Sequence, residues 1–267
     1  MNLTFLGTGT STGVPQLRCT CEVCTSADPR DNRLRCSALL QTVEGAPALL
    51  LDCGPDFRQQ MLRENCPDLA AVLLTHSHYD HVGGIDDLRP YTHTYPGEHF
   101  PVYCSADVAQ DLRDRVPYCF RENPYPGVPQ FDLRIKKAGD EFDIDLGPGF
   151  RPAHVRMLGV LHGQLPILGF RIGPMAYITD ASEIPDDTLQ QIKGVDTLVI
   201  NALRHEYHPS HQNLSRAIDV INLTKPRKAY LIHMSHQIGL HEIADSNLPE
   251  NVTLAYDGLK VRINNND

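Results

Sequence analysis

The apolar run Leu69-Ala70-Ala71-Val72-Leu73-Leu74 delivers the chain into Thr75-His76-Ser77-His78-Tyr79-Asp80-His81. Bounded by Pro67-Asp68 upstream and Gly83-Gly84 downstream, the run reads as a buried strand. Side chains two apart on an extended backbone point the same way, so His76 and His78 can grip one metal ion. Asp80 and His81 follow as the chain turns and can reach a second ion nearby. Three imidazoles and a carboxylate in so short a span suit Zn, Mn or Fe far better than Mg or Ca. The second position is His78 rather than Glu, which favours hydrolytic over redox di-iron chemistry.

Composition narrows the classes. A chain of 267 residues buries a sizeable core. Its 41% hydrophobic and 21% charged residues are ordinary for a soluble globular protein. No run approaches the roughly 20 apolar residues of a membrane span. Met1 to Gly7 lacks the basic and long apolar regions of a secretion signal. Eight cysteines without such a signal point to thiols or metal ligands. A cytoplasmic protein with no membrane partner is therefore expected. The formal net charge of −9 weighs against long nucleic acid as a partner, because no basic patch stands out. Small anions remain allowed, since a bound metal supplies positive charge locally. A homodimer is compatible with a sequence that carries no interface signal.

Taken in order, Asn2 to Leu6 reads as a strand, followed by the Gly-rich turn Gly7 to Gly13. That turn could present N–H groups to a phosphate or simply reverse the chain. Cys19, Cys21 and Cys24 are close enough to share one tetrahedral Zn with a fourth ligand from elsewhere. Cys36 is a possible fourth ligand, but it lies in an apolar stretch that reads as a strand, where a buried thiol is the expected role. Arg30, Arg33 and Arg35, with Asp28 and Asp31 among them, read as a solvated loop. Ala46 to Leu51 is a strand leading into Asp52-Cys53-Gly54, and a helix follows over 56–64. Ile85 to Arg89 fits a short helix stopped by Pro90. Phe100 to Cys104 is a strand and Ala106 to Arg115 a helix. Strands over 131–146 and 150–160 open a second β-rich half. Met175 to Thr179, Thr197 to Ile200 and Lys228 to Ile232 are further strands. A helix is expected from about Ser210, another over 240–246, and final strands over 252–256 and 259–263. His205 and His208 line a site mouth or are solvated; His154 reads as a strand residue. His236 is the candidate fourth ligand for the Cys19, Cys21 and Cys24 zinc.

The spacing His76-x-His78-x-Asp80-His81 resembles the signature of the metallo-β-lactamase-fold hydrolases. That resemblance implies an α/β (α+β) fold: a four-layer αββα sandwich of two mixed β-sheets flanked by helices. It implies one such domain over residues 1–267, with the Cys/His zinc-binding loop near 19–24. It also implies two divalent metal ions (Zn or Mn, with Fe a third option) held by His76, His78, Asp80, His81, His162, Asp180 and His233. His162 takes the third-histidine position because it precedes a strand with a Gly-aromatic pair. Asp180 resembles the family's bridging aspartate, although a bare Asp there could cap the next helix. Asp52 resembles the acid beneath the metals that orients a ligand histidine, although it could equally cap a helix. His211 resembles the phosphodiesterase-type catalytic histidine, and one structural Zn would sit in Cys19, Cys21, Cys24 and His236.

Together with Gly7-Thr8-Gly9-Thr10-Ser11-x-Gly13-Val14-Pro15 and His233-x-x-His236-Gln237, these motifs are similar to the PhnP family of cyclic phosphodiesterases. PqqB-like proteins share them. The expected function is metal-dependent hydrolysis of a small phosphodiester, cyclic ones foremost, by a hydroxide held between the metals. Asp80 would take a proton and His211 give one to the leaving alkoxide. A glyoxalase II-type thioesterase shares the first motif but not the Cys/His loop. A tRNA 3′-processing nuclease shares the chemistry but would bring a basic arm. A non-catalytic metal or redox scaffold uses the cysteines alone. Elemental analysis checks the ligand sets: three metals per chain are expected, falling to two in His236→Ala with selective loss of zinc. Two metals in both proteins would remove the structural-zinc site.

Overall fold

The computed structural model describes residues 1–95 and 99–264. Seven strands make the first sheet: β1 (Asn2–Gly7), β2 (Ser37–Gln41), β3 (Ala48–Leu51), β4 (Leu69–Leu73), β5 (Phe100–Cys104), β6 (Phe131–Ile135) and β14 (Lys260–Arg262). They lie in the order β14-β1-β2-β3-β4-β5-β6. The second sheet holds β7 (Glu141–Ile144), β8 (Ala153–His162), β9 (Leu165–Ile172), β10 (Met175–Ile178), β11 (Thr197–Asn201), β12 (Lys228–Ile232) and β13 (Val252–Leu254). Its order is β13-β12-β11-β10-β9-β8-β7. Each sheet starts with antiparallel pairs and turns parallel after its fourth strand, at β3–β4 in one and β10–β11 in the other. The two sheets thus repeat one pattern, and β3 corresponds to β10.

The central strands read as unbroken apolar runs because both of their faces are covered. Leu49, Leu51, Leu73 and Phe5 point inward, where they meet Val155, Met157, Phe170 and Tyr177 of the second sheet. Their neighbours Leu50 and Val72 point outward against Phe57, Val82, Leu88, Val108 and Leu112. Those come from helices or turns that include α1 (Phe57–Arg63), α2 (Tyr79–Val82) and, beyond α3 (Arg89–Thr94), α4 (Ala106–Arg115). On the other sheet Ile178, Leu198 and Ile200 face Ala217 and Ile221. These belong to α6 (Leu214–Thr224), which lies between α5 (Asp186–Gln191) and α7 (His241–Ser246). Helix, sheet, sheet, helix is the four-layer αββα order expected from the motif.

Several local expectations are corrected. Strand β6 closes the edge of the first sheet, parallel to β5, rather than opening the second half. Pro90 does not stop a helix; a short 3-10 turn over Ile85–Leu88 is followed by α3, with Pro90 in its first turn. Proline is tolerated there because its missing N–H would have had no helical partner. Helix α6 starts at Leu214, capped by the Asn213 side chain, so His211 lies in the preceding loop. Arg33 is not solvated: it is 1% exposed and faces Asp31 at 3.5 Å. Alternating charges in sequence carry no information on which side chain turns inward. Among the described residues no helix is long and apolar enough to cross a membrane.

Phe170 is fully buried between the sheets, its ring stacked 6.3 Å from Tyr177. Phe170→Ala should lower unfolding free energy by about 3–5 kcal/mol, the usual cost of emptying a buried aromatic site. Urea titration measures it, and a loss under about 1 kcal/mol would show that the two sheets do not depend on this contact.

Candidate metal centre

The site stands where strands β3, β4, β10, β11 and β12 end on one edge of the sandwich. Carboxyl ends of parallel strands collect loops from several elements and are the usual place for ligands in α/β sheets. The chain leaves β3 through Asp52 and β10 through Asp180, corresponding places in the repeated pattern. Both residues adopt left-handed backbone, at φ 61° and 58°, and His233 after β12 does so at φ 56°. L-residues rarely take this conformation, and here it turns each side chain across the strand ends.

Asp52 is fully buried and organises the first motif. It accepts from the backbone N–H of Thr75 at 2.8 Å and from the Thr75 hydroxyl at 2.9 Å. His81 Nδ1 donates at 2.8 Å to Oδ2, the oxygen that takes the Thr75 hydroxyl at 2.9 Å. With the Thr75 hydroxyl proton given to Asp52, His76 Nδ1 donates to Thr75 Oγ1 at 3.0 Å. His162 Nδ1 donates to the carbonyls of Asp180 and Ser210, at 2.8 and 2.7 Å. In each of these three rings the Nδ1 proton is committed, leaving Nε2 as the atom that faces the centre, where a bound cation would take the place of any proton it carries. Gly54 lets α2 rest on this turn, since a Cβ there would lie 2.1 Å from the Asp80 carbonyl oxygen.

Three overlapping groups of ligand atoms result: His76, His78 and His162; Asp80, His81, Asp180 and His233; and His162, Asp180 and His211. His81 Nε2 lies 3.2 Å from both Asp80 Oδ2 and Asp180 Oδ1. His233 Nε2 lies 3.2 Å from Asp180 Oδ2 and 3.4 Å from Asp80 Oδ2. Two ligand atoms about 2.0–2.1 Å from one ion at tetrahedral angles would stand about 3.4 Å apart, so these spacings fit a shared cation. Asp180 Oδ2 is also 3.9 Å from His76 Nε2, which places this carboxylate between the groups. The buried nitrogens His76 Nε2, His81 Nε2 and His211 Nδ1, each within 4 Å of Asp180, make no hydrogen bond. Buried polar atoms are seldom left so, and three around one carboxylate fit a site for metal ions.

Electrostatics agree. Burial disfavours charge on both His81 and Asp180, yet each is held in its charged form by the other. Asp180, Asp52 and Asp80 keep His81 well above its usual range, and His233 and His81 keep Asp180 well below its own. Burial raises Asp80 too, but His81 and His233 outweigh it and hold its carboxyl low. His211 lies beside these groups, its ring stacked 4.9 Å from His233 and edge-on to His162 at 4.6 Å. Burial first, then His233, pushes His211 down to about 3.

The second cluster joins Cys19, Cys21, Cys24 and His236. His236 Nδ1 is 3.1 Å from Cys21 Sγ and 3.5 Å from Cys19 Sγ. Nitrogen and sulfur on one tetrahedral Zn would be about 3.5 Å apart. The His236 hydrogen bond brings the Cys21 thiol down to about 6, whereas burial lifts Cys24 to about 11. The loop base is pinned where Val14 and Arg33 exchange backbone hydrogen bonds of 2.9 and 2.7 Å.

Other histidines fall outside. His154, on β8, pairs with Asp143 at 2.8 Å across the sheet edge. His205 Nε2 donates to the Ile238 carbonyl at 3.2 Å, and the His208 ring lies 5.0 Å from that of His211. Sequence reasoning missed Thr75, the link between Asp52 and His76, and Asn201. The Asn201 side chain accepts from Ala181 N–H at 2.9 Å and donates to Ala181 C=O at 3.0 Å, fixing the turn after Asp180. A polar residue closing an apolar strand was the available signal for both.

The Beta-lactamase superfamily domain model matches residues 48–234. With the αββα layers and the strand-end histidines and aspartates already described, this match means that the chain belongs to the metallo-β-lactamase-fold hydrolases. Within that class it is similar to a solved diphosphatase of the PhnP family, at 37% identity and TM-score 0.87, covering 97% of this chain and 96% of that one. Zn(2+)-bound PqqB from Methylobacterium extorquens shares the fold at 20% identity and TM-score 0.77, over 98% and 100% of the two chains. An octanoyltransferase of Porphyromonas gingivalis is 44% identical over 98% of this chain. This chain spans only 52% of that relative's length.

Asp52→Ala removes the acceptor that orients His81 and, through Thr75, His76. Metal affinity should fall about 10–100-fold, as for other partners of ligand histidines. Calorimetric titration of the stripped protein measures this, and unchanged affinity would remove Asp52 from the site.

Proposed function

We propose that the chain is a metal-dependent phosphodiesterase acting on small phosphodiesters, cyclic ones among them. The observation that carries this reading is the pair of adjoining ligand groups with Asp180 between them and His211 facing both. His76, His78 and His162 would hold one divalent ion; Asp80, His81 and His233 the other; Asp180 would serve both. Zn or Mn suits this donor set of nitrogen and carboxylate oxygen, with Fe a third option. A bound pair of divalent ions would supply Lewis acidity, making water a nucleophile at neutral pH and withdrawing charge from phosphoryl oxygens. We also assign a structural zinc to Cys19, Cys21, Cys24 and His236.

The protein's own groups have distinct tasks. Asp80 keeps a low, ionised carboxylate beside the attack site and can accept the proton of the water. His211, whose Nδ1 lies 3.8 Å from Asp180 Oδ2, would be the donor to the departing oxygen. Positioned proton transfer of this kind contributes about 10²–10⁴-fold. The formal charge of −9 supports a small substrate over a long polyanion. The similarity to a PhnP-family diphosphatase favours a second reading, cleavage of a diphosphate, which uses the same attack at phosphorus with a different leaving group.

Assays of the metal-replete protein on bis(p-nitrophenyl) phosphate, a nucleoside 2′,3′-cyclic phosphate, ADP-ribose and S-lactoylglutathione separate the classes. Diester hydrolysis is expected, and His211→Ala should lower its kcat by about 10²–10⁴-fold with metal content unchanged. Turnover of the thioester alone would overturn the reading, and loss of metal in His211→Ala would make that residue a ligand instead.

A further inference from the structure

The loop that carries His208 and His211 is fastened at its start to the turn that carries His236, and its far end is bonded back onto that start. Leu203 opens the loop: its N–H donates to the Gln212 carbonyl and its carbonyl accepts from Ser235 N–H, both at 2.9 Å. Leu214 N–H closes it by donating to the Arg204 carbonyl at 2.9 Å. Two side-chain bonds then cross to the 3-10 turn His236–Ile238. Arg204 Nη1 donates to Gln237 Oε1 at 3.0 Å, and His205 Nε2 donates to the Ile238 carbonyl at 3.2 Å. Arg204 Nη2 also donates to the Tyr207 carbonyl at 3.0 Å, and Asn213 Nδ2 to the His205 carbonyl at 2.9 Å, so the loop is braced from within.

The other side of the same turn belongs to the cysteine cluster, because His236 meets Cys19 and Cys21. One short turn therefore has His233 of the ligand group before it, His236 of the cysteine cluster at its start, and Gln237 and Ile238 reaching the His211 loop. His211 itself belongs to no strand or helix; its neighbours are held directly, the Ser210 carbonyl by His162 Nδ1 and Gln212 N–H by the Ala181 carbonyl, both at 2.7 Å, and the rest of the loop is held by the His236 turn.

We propose that Arg204 and Gln237 are positioning residues that set His211 against the ligand groups, and that the cysteine cluster holds this tie in place through His236. The catalytic consequence rests on the phosphodiesterase reading; the mechanical coupling does not. An ångström of misplacement in a site of this kind costs about 10²-fold in rate. Breaking the Arg204–Gln237 bond should thus lower turnover without removing a group that touches substrate.

The test is a cycle on the metal-replete protein with bis(p-nitrophenyl) phosphate, together with hydrogen exchange of backbone amides. Gln237→Ala should lower kcat by about 10–100-fold with KM changed under about threefold, and Gln237→Glu should restore most of it by again accepting from Arg204. In a His211→Ala background Gln237→Ala should cost nothing further. An equal loss in both backgrounds would overturn the positioning role. Exchange in residues 203–214 should rise in Gln237→Ala while residues 76–82 stay protected; unchanged exchange in 203–214 would overturn the tie. Cys21→Ser should loosen 233–238 and 203–214 together, and loosening of 233–238 alone would separate the cysteine cluster from the loop. Absence of diester turnover in the wild-type protein would sink the phosphodiesterase reading, with the exchange measurements still deciding the coupling.

Discussion

A buried carboxylate shared among imidazoles is the interaction on which the rest depends. Asp180 is 2% exposed and stands within 4 Å of nitrogens from His76, His81, His211 and His233. Burying a carboxylate is costly unless opposing charge surrounds it, and here that charge comes from rings that themselves need a partner. Asp52 repeats the arrangement one layer back, holding His81 from the far side. The line Asp52–His81–Asp180 therefore crosses from one sheet to the other, and a cation placed beside it would meet carboxylate oxygens from both halves. Removing either acid would leave His81 charged without its compensation or neutral without its orientation.

The duplication of the sheet pattern explains how two acids come to face each other. β3 and β10 occupy the same place in their sheets, each at the change from antiparallel to parallel pairing. Each is followed by an aspartate with positive φ. After that the halves diverge. The first continues into β4 and the His76–His81 turn; the second continues into β11, Asn201 and the long loop bearing His211. The first half supplies closely spaced ligands on a short helix, and the second supplies isolated ones on separate strand ends.

Two side-chain clusters and a loop tie meet in the segment after β12. It holds His233 in the ligand group, His236 against the cysteines and Gln237 against Arg204, all within five residues. Met234 adds backbone bonds to Thr8 and Thr10, so the Gly-rich turn after β1 is drawn to the same point. A loop tethered by several long-range contacts loses less order than one tethered by its ends alone, which suits a residue required to act at a fixed distance.

The sequence by itself determined the strand-turn carrying His76 to Asp80, the apolar runs of the central strands and the cysteine spacing. Each is local: a period of two, an unbroken apolar run, or ligands a few residues apart. Helix Ala106–Arg115 was also legible, and the structure shows its first turn capped by the Ser105 side chain. Only the tertiary structure decided the side chains whose partners lie far along the chain. The burial of Arg33, the assignment of β6 to the first sheet and the placing of His211 in a loop before α6 depend on long-range packing. So does the meeting of Asp52 with His81, 29 residues apart, and of Arg204 with Gln237, 33 apart. Local pattern reports which way a residue faces within its own element; which element it then meets follows from how two sheets stack, and that is set by the whole chain at once.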